Sequence, residues 1–95
     1  GPTVDETRIL QEMALYMERL DIAEEIVRLK GHLKNFRDTL ESKEEVGRKL
    51  DFIIQEMVRE TNTIGSKSND LYISERVVQI KVETEKMREQ AQNLE

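Results

Sequence analysis

The sequence has no cysteine, no tryptophan, one proline and four glycines among its 95 residues. Without cysteine there is no disulfide staple and no thiolate metal site. A β-sandwich or barrel would want more turn glycines, more β-branched runs and more aromatics than two Tyr and two Phe. The longest uninterrupted apolar run, Met13 to Met17, falls far short of the roughly 20 residues that cross a bilayer. No membrane contact is expected, no secretory signal is visible, and an intracellular setting fits. Basic charge is also lacking. The formal net charge is −5, whereas nucleic-acid binding normally draws on an excess of Lys and Arg. Any such contact would be local, or would come from another part of a longer protein. The opening Gly1-Pro2 has the look of a protease-cleavage scar, so residues 3–95 are expected to form one helical domain cut from something longer.

Charged residues make up 37% of the chain and hydrophobic ones another 37%, with Glu, Lys, Arg, Leu, Gln and Met abundant. That mixture favours long helices. Four amphipathic helices are predicted, an all-α fold built as an antiparallel bundle or as helical hairpins. The first covers about 5–20, with Met13, Met17 and Leu20 on one stripe and Ile9, Leu10 and Tyr16 beside it. Asp21 with Glu24 resembles a capping box and opens a second helix, striped by Ile22, Ile26, Leu29, Leu33, Phe36 and Leu40. Ser42 with Glu45 repeats that signal before a third helix on Val46, Leu50, Ile53, Met57, Thr61 and Ile64. Gly65 and the polar run to Asp70 are read as the interruption, with Asn69 or Asp70 capping a long C-terminal helix. Its stripe is Ile73, Val77, Ile80, Thr84, Met87, Ala91 and Leu94.

Some residues break the one-stripe rule. Phe52 falls on the polar side of the third helix, and Leu71, Val78 and Val82 form a second apolar patch on the last. These four are expected at an interface with a missing domain, a second subunit or a ligand.

The polar side of the third helix resolves into two strips: Lys49, Glu56, Glu60, Thr63, Lys67, and Arg48, Gln55, Arg59, Asn62, Ser66. Both read as a solvated face, except that Gln, Asn, Thr and Ser stand where an exposed helix usually spends Glu and Lys. Glu56 and Glu60, one turn apart, are either a shared cation site or two solvated carboxylates that repel mildly. The lone His32 is either a packed border residue or a general acid or base. A carboxylate-lined metal bundle would want paired Glu-x-x-His ligands, which one histidine cannot provide. No phosphate loop, zinc motif or nucleophile elbow is present.

The segments Val46-Gly47-Arg48-Lys49-Leu50-Asp51-Phe52, Gln55-Glu56-Met57, Arg59-Glu60 and Asn62-Thr63-Ile64-Gly65-Ser66-Lys67 resemble the signature of the YicC/YloC family of bacterial proteins. Asp21-Ile22, Glu24-Glu25, Arg28-Leu29 and His32-Leu33 fit the same pattern, as does the ending Arg88-Glu89-Gln90, Gln92-Asn93, Glu95. The likeness runs from Val4 to Glu95. Val58 stands where the family pattern has Asn, and Ala91 where Val is commoner. The family is about three times this length, so the chain is similar to its C-terminal helical region only. The resemblance implies a cytoplasmic, metal-dependent endoribonuclease acting on RNA as a ring-like homo-oligomer, joined to its own N-terminal domain. It implies catalytic roles for His32, Glu56, Arg59 and Glu60, and phosphate contacts from Arg48, Lys49, Lys67 and Arg88. Mn²⁺ or Mg²⁺ would be held by Asp51, Glu56, Glu60 and Glu89. The isolated chain is expected to be folded but inactive. A second reading is a helical oligomerisation scaffold, with the chemistry in the absent N-terminal region.

Overall fold

A computed structural model describes residues 2–42 and 46–93, with side chains from Asp5 onward. Three helices account for nearly all of them: α1 (Pro2–Glu41), α2 (Gly47–Lys67) and α3 (Leu71–Gln92). α2 lies between the other two and runs antiparallel to both. The molecule is a rod of 65 × 19 × 14 Å. Its length is set by α1, whose 40 residues span about 60 Å at 1.5 Å each.

The α2 stripe forms the core as expected. Leu50, Ile53, Met57, Thr61 and Ile64 are buried, together with Ile54 and with Ile22 of α1; Leu50, Ile53, Ile54 and Met57 pack with Phe36 of α1 and Ala91 of α3. Leu29, Leu33 and Met87 close the sides. The Thr61 hydroxyl, buried at the centre, donates to the carbonyl of Met57 (2.7 Å). This back-bond satisfies a polar group that would otherwise be costly to bury.

Two expectations are corrected. Among the described residues there are three helices, not four, because α1 continues through Asp21. Asp21 and Glu24 are both exposed, and no Gly or Pro lies between Thr3 and Lys30. A capping side chain supplies one hydrogen bond. Breaking the helix there would forfeit several backbone bonds, so a cap stabilises an end but does not impose one. Nor does Gly65 end the third predicted helix, since α2 runs on to Lys67 and stops at Ser68, whose backbone is extended. The glycine serves packing instead: a Cβ there would lie 3.3 Å from Val77 Cγ1 on α3.

Asp70 caps α3 as predicted, its Oδ1 accepting from the Ile73 amide (3.1 Å). The three-residue connection 68–70 holds α3 antiparallel, while the Ser42 amide bonds to Thr39 O (3.1 Å) as α1 ends. Glu45 and Leu94 lie outside the described residues. No described helix is long and apolar enough to cross a membrane.

Candidate metal and phosphate site

Two polar strips face each other across the α1–α2 contact. On α1 they are Glu25, Arg28 and His32, spaced by three and four; on α2, Glu56, Glu60, Thr63 and Lys67, spaced by four, three and four. Both spacings keep side chains on one helix face. Because the helices are antiparallel, Glu25 meets Lys67, Arg28 meets Glu60, and His32 meets Glu56 and Glu60.

Glu25 and Glu60 are 4% and 8% exposed, so each carboxylate needs partners to offset lost hydration. Arg28 Nε donates to both Glu60 oxygens at 3.1 Å, and its Nη2 donates to Glu25. Lys67 Nζ donates to Glu25 Oε1 at 3.0 Å. The Glu60 carboxyl beside it, then hydrogen bonds from Arg28 and Lys67, hold the Glu25 carboxyl down to about 2 against the opposing pull of burial. The cations respond in kind. Glu25, then Glu60, raises Arg28 above its usual value, and Glu25 raises Lys67.

At the outer end of this network His32, Glu56 and Glu60 each offer one ligand atom, all within 4.8 Å of one another. His32 and Glu56 are half-buried and Glu60 is buried. Three carboxylates (Glu25, Glu56, Glu60) face two close cations (Arg28, Lys67), which leaves an excess of negative charge. Arg59 is the further cation nearby, exposed at the rim with Nη1 3.9 Å from Glu56. An imidazole with two carboxylates, partly shielded and carrying surplus negative charge, is a donor set that could hold a divalent cation.

The remaining sequence candidates fall elsewhere. Arg48, Asp51 and Arg88 line a separate pocket of about 300 Å³ with Gly47, Ala91 and Gln92, where α2 begins and α3 ends. Asp51 there accepts from Gln55 Nε2 (2.9 Å). Arg88 bonds Glu85 (2.6 Å), which raises its pKa. Lys49 and Glu89 are exposed on α2 and α3. Phe52, Leu71, Val78 and Val82 are exposed. Asp51 and Glu89 therefore do not join the His32–Glu56–Glu60 cluster, and Lys67 is bonded within the network.

Sequence reasoning passed over Arg28 and Glu25 as functional. Their signal was the spacing Glu25-x-x-Arg28-x-x-x-His32, which stacks all three on one helical face. The polar types that drew attention on α2 have ordinary employment: Thr63 and Ser66 donate to Arg59 O (3.0 Å) and Thr63 O (2.9 Å) of their own helix.

An all-helical domain with a histidine–carboxylate cluster backed by an arginine is the class that fold and site define. The chain belongs to the family of YicC-like endoribonuclease C-terminal domains, whose model matches residues 1–95. It is 53% identical over 92 residues to a Clostridioides difficile protein named probable endoribonuclease YicC, covering 97% of this chain and 31% of that protein. A Haemophilus influenzae protein of the same name is 49% identical over 92 residues, with 97% and 32% covered. The chain thus spans about a third of the length of these relatives.

Proposed function

We propose that this chain is the C-terminal, site-bearing part of an endoribonuclease in which a divalent cation on His32, Glu56 and Glu60 assists cleavage of RNA. The convergence of three ligand atoms within 4.8 Å carries this reading, and the names of the relatives supply the reaction class. When bound, such an ion supplies a Lewis acid for the phosphoryl oxygen and lowers the pKa of a coordinated water.

The chain's own residues do the positioning. Arg28 pins both Glu60 oxygens, fixing the carboxylate as an outer partner fixes a ligand. Glu25, itself held by Lys67, orients Arg28. Arg59 stands at the rim, where it would meet a phosphate once Glu56 turns to the cation. Lys49 lies one heptad before Glu56 on the same strip, and Arg48 with Arg88 lies about 12 Å along α2. A single strand laid along this helix would meet these groups in turn. In this reading a nitrogen of His32 is a ligand and cannot also shuttle protons.

The net charge of −5 leaves this chain a poor RNA binder alone. The remainder of the full-length protein, an N-terminal domain and further copies in a cytoplasmic homo-oligomer, would provide the rest of the groove.

Labelled-RNA cleavage by full-length protein, with and without Mn²⁺, tests the reading. Glu60→Gln and His32→Ala should each lower Mn²⁺-dependent cleavage by about a hundredfold, in line with the loss of a metal ligand or its outer partner, and Arg59→Ala less. Unchanged cutting in the Glu60→Gln, His32→Ala double variant would move the chemistry out of this domain and favour the scaffold reading.

A further inference from the structure

Phe52 occupies a setting that helix packing does not require. At 100° per residue it lies roughly 140° from the middle of the buried side of α2, and it is 61% exposed. Among the described residues it is the one large apolar side chain exposed on α2; the others are on α1 and α3. Its neighbours on the helix surface are mostly cationic. Arg48 precedes it by one turn, Lys49 by three residues, and Arg59 follows seven residues later, all three exposed. Each projects within about 60° of the ring. The carboxylate on this face is Glu56, one turn further on, and it is gathered with His32 and Glu60. In a chain of net charge −5, the strip around Phe52 carries a local positive excess.

Those neighbours decide what the ring is suited to touch. A protein surface covering Phe52 would also cover Arg48 and Arg59 and strip their hydration, with no second apolar side chain of α2 beside the ring to offset the loss. A nucleobase covers the ring alone, and its flanking phosphates meet the cations. We infer that Phe52 is a stacking platform for an unpaired base of single-stranded RNA, an assignment that rests on the reading of this domain as part of an RNA-cleaving protein. The ring stands one turn, about 6 Å, from Glu56 on one side and from Arg48 on the other. A base on Phe52 therefore belongs to a nucleotide adjoining the phosphate at the His32–Glu56–Glu60 cluster, with Arg48 meeting the phosphate beyond it. Bases within a duplex have both faces covered by their neighbours in the stack, so the ring selects unpaired segments.

The test is the affinity of full-length protein for a short fluorescent oligoadenylate in EDTA, read by anisotropy. Phe52→Ala should weaken binding about tenfold, the usual loss when one stacked base is released. Phe52→Tyr and Phe52→Trp keep a π-face and should bind as the unaltered protein does, whereas Phe52→Leu keeps only apolar bulk and should bind as weakly as Phe52→Ala. A strand of the same length built of abasic residues has the phosphates and lacks the bases. Phe52→Ala and the unaltered protein should bind that strand equally. Melting temperature should be the same throughout, because the ring lies off the core. Equal weakening on both strands, full affinity in Phe52→Leu, or a lower melting temperature in Phe52→Ala would each overturn the assignment, the last by placing the ring against the rest of the protein. Cleavage plays no part in this measurement, so its outcome is separate from that of the Glu60→Gln, His32→Ala test.

Discussion

Replacing Gly65 with alanine tests how closely α2 and α3 approach. In an unconstrained helix interior that change stabilises by roughly 0.5–1 kcal/mol, because glycine loses more backbone freedom on folding. Here the added Cβ would sit 3.3 Å from Val77 Cγ1 and 3.8 Å from its Cγ2. The first contact lies inside the optimal 3.5–4.0 Å for carbon pairs. Val77 is β-branched in a helix and has one strongly preferred rotamer, so it cannot turn aside cheaply. The helix must shift by a few tenths of an ångström, which consumes the gain. Gly65→Ala is therefore expected to change stability by less than about 0.5 kcal/mol. Once Val77→Ala has removed the offending methyls, the same change should stabilise by about 1 kcal/mol. Urea denaturation of the four chains of this cycle, followed by circular dichroism, measures the coupling as the difference. A full gain from Gly65→Ala beside native Val77 would mean that the helices stand further apart than described. It would also return Gly65, part of the family-like segment, to the unexplained residues.

Four further outcomes follow from the packing. Asp21→Ala should leave stability unchanged or raise it by a few tenths of a kcal/mol, as in any exposed helix interior; a loss near 1 kcal/mol in thermal melts would mean that a helix starts there. Asp70→Ala removes the cap on the Ile73 amide and should cost about 1 kcal/mol by urea titration. Leu50 is 0% exposed, so Leu50→Ala should cost about 2–5 kcal/mol, a fall in melting temperature on the order of 10 °C or more. Ser66→Ala should change cleavage by full-length protein less than twofold, because the hydroxyl serves its own helix; a large loss would restore a direct role.

How far the sequence could be read depended on how each signal arises. The α2 stripe was legible position by position because burial on one side imposes the 3.6-residue period. The helix boundary at Asp21 was misread because capping residues also occur, at little cost, inside helices. Glu56 and Glu60 could be paired from one-turn spacing within one element. Their convergence with His32 could not be read, since it depends on the antiparallel register of α1 against α2. Arg28 was passed over for a related reason. An arginine on a helix looks solvated until the opposing strand of partners is known, and here Glu60 lies 32 positions further along the chain.

The polar clusters divide between two seams of the molecule, both on α2 but with different contents. The His32–Glu56–Glu60 cluster and its arginine belong wholly to the α1–α2 seam, whereas the Arg48–Arg88 pocket belongs to the α2–α3 seam. Detachment of α3, which borders an apolar groove of about 580 Å³ lined chiefly by α1 and α3, would leave the cluster assembled while separating the two arginines. Opening events of that kind draw on local rather than global stability. Amide exchange in α3 would then rise while the His32–Glu56–Glu60 cluster stays assembled, so the two halves of the polar surface can be uncoupled in time.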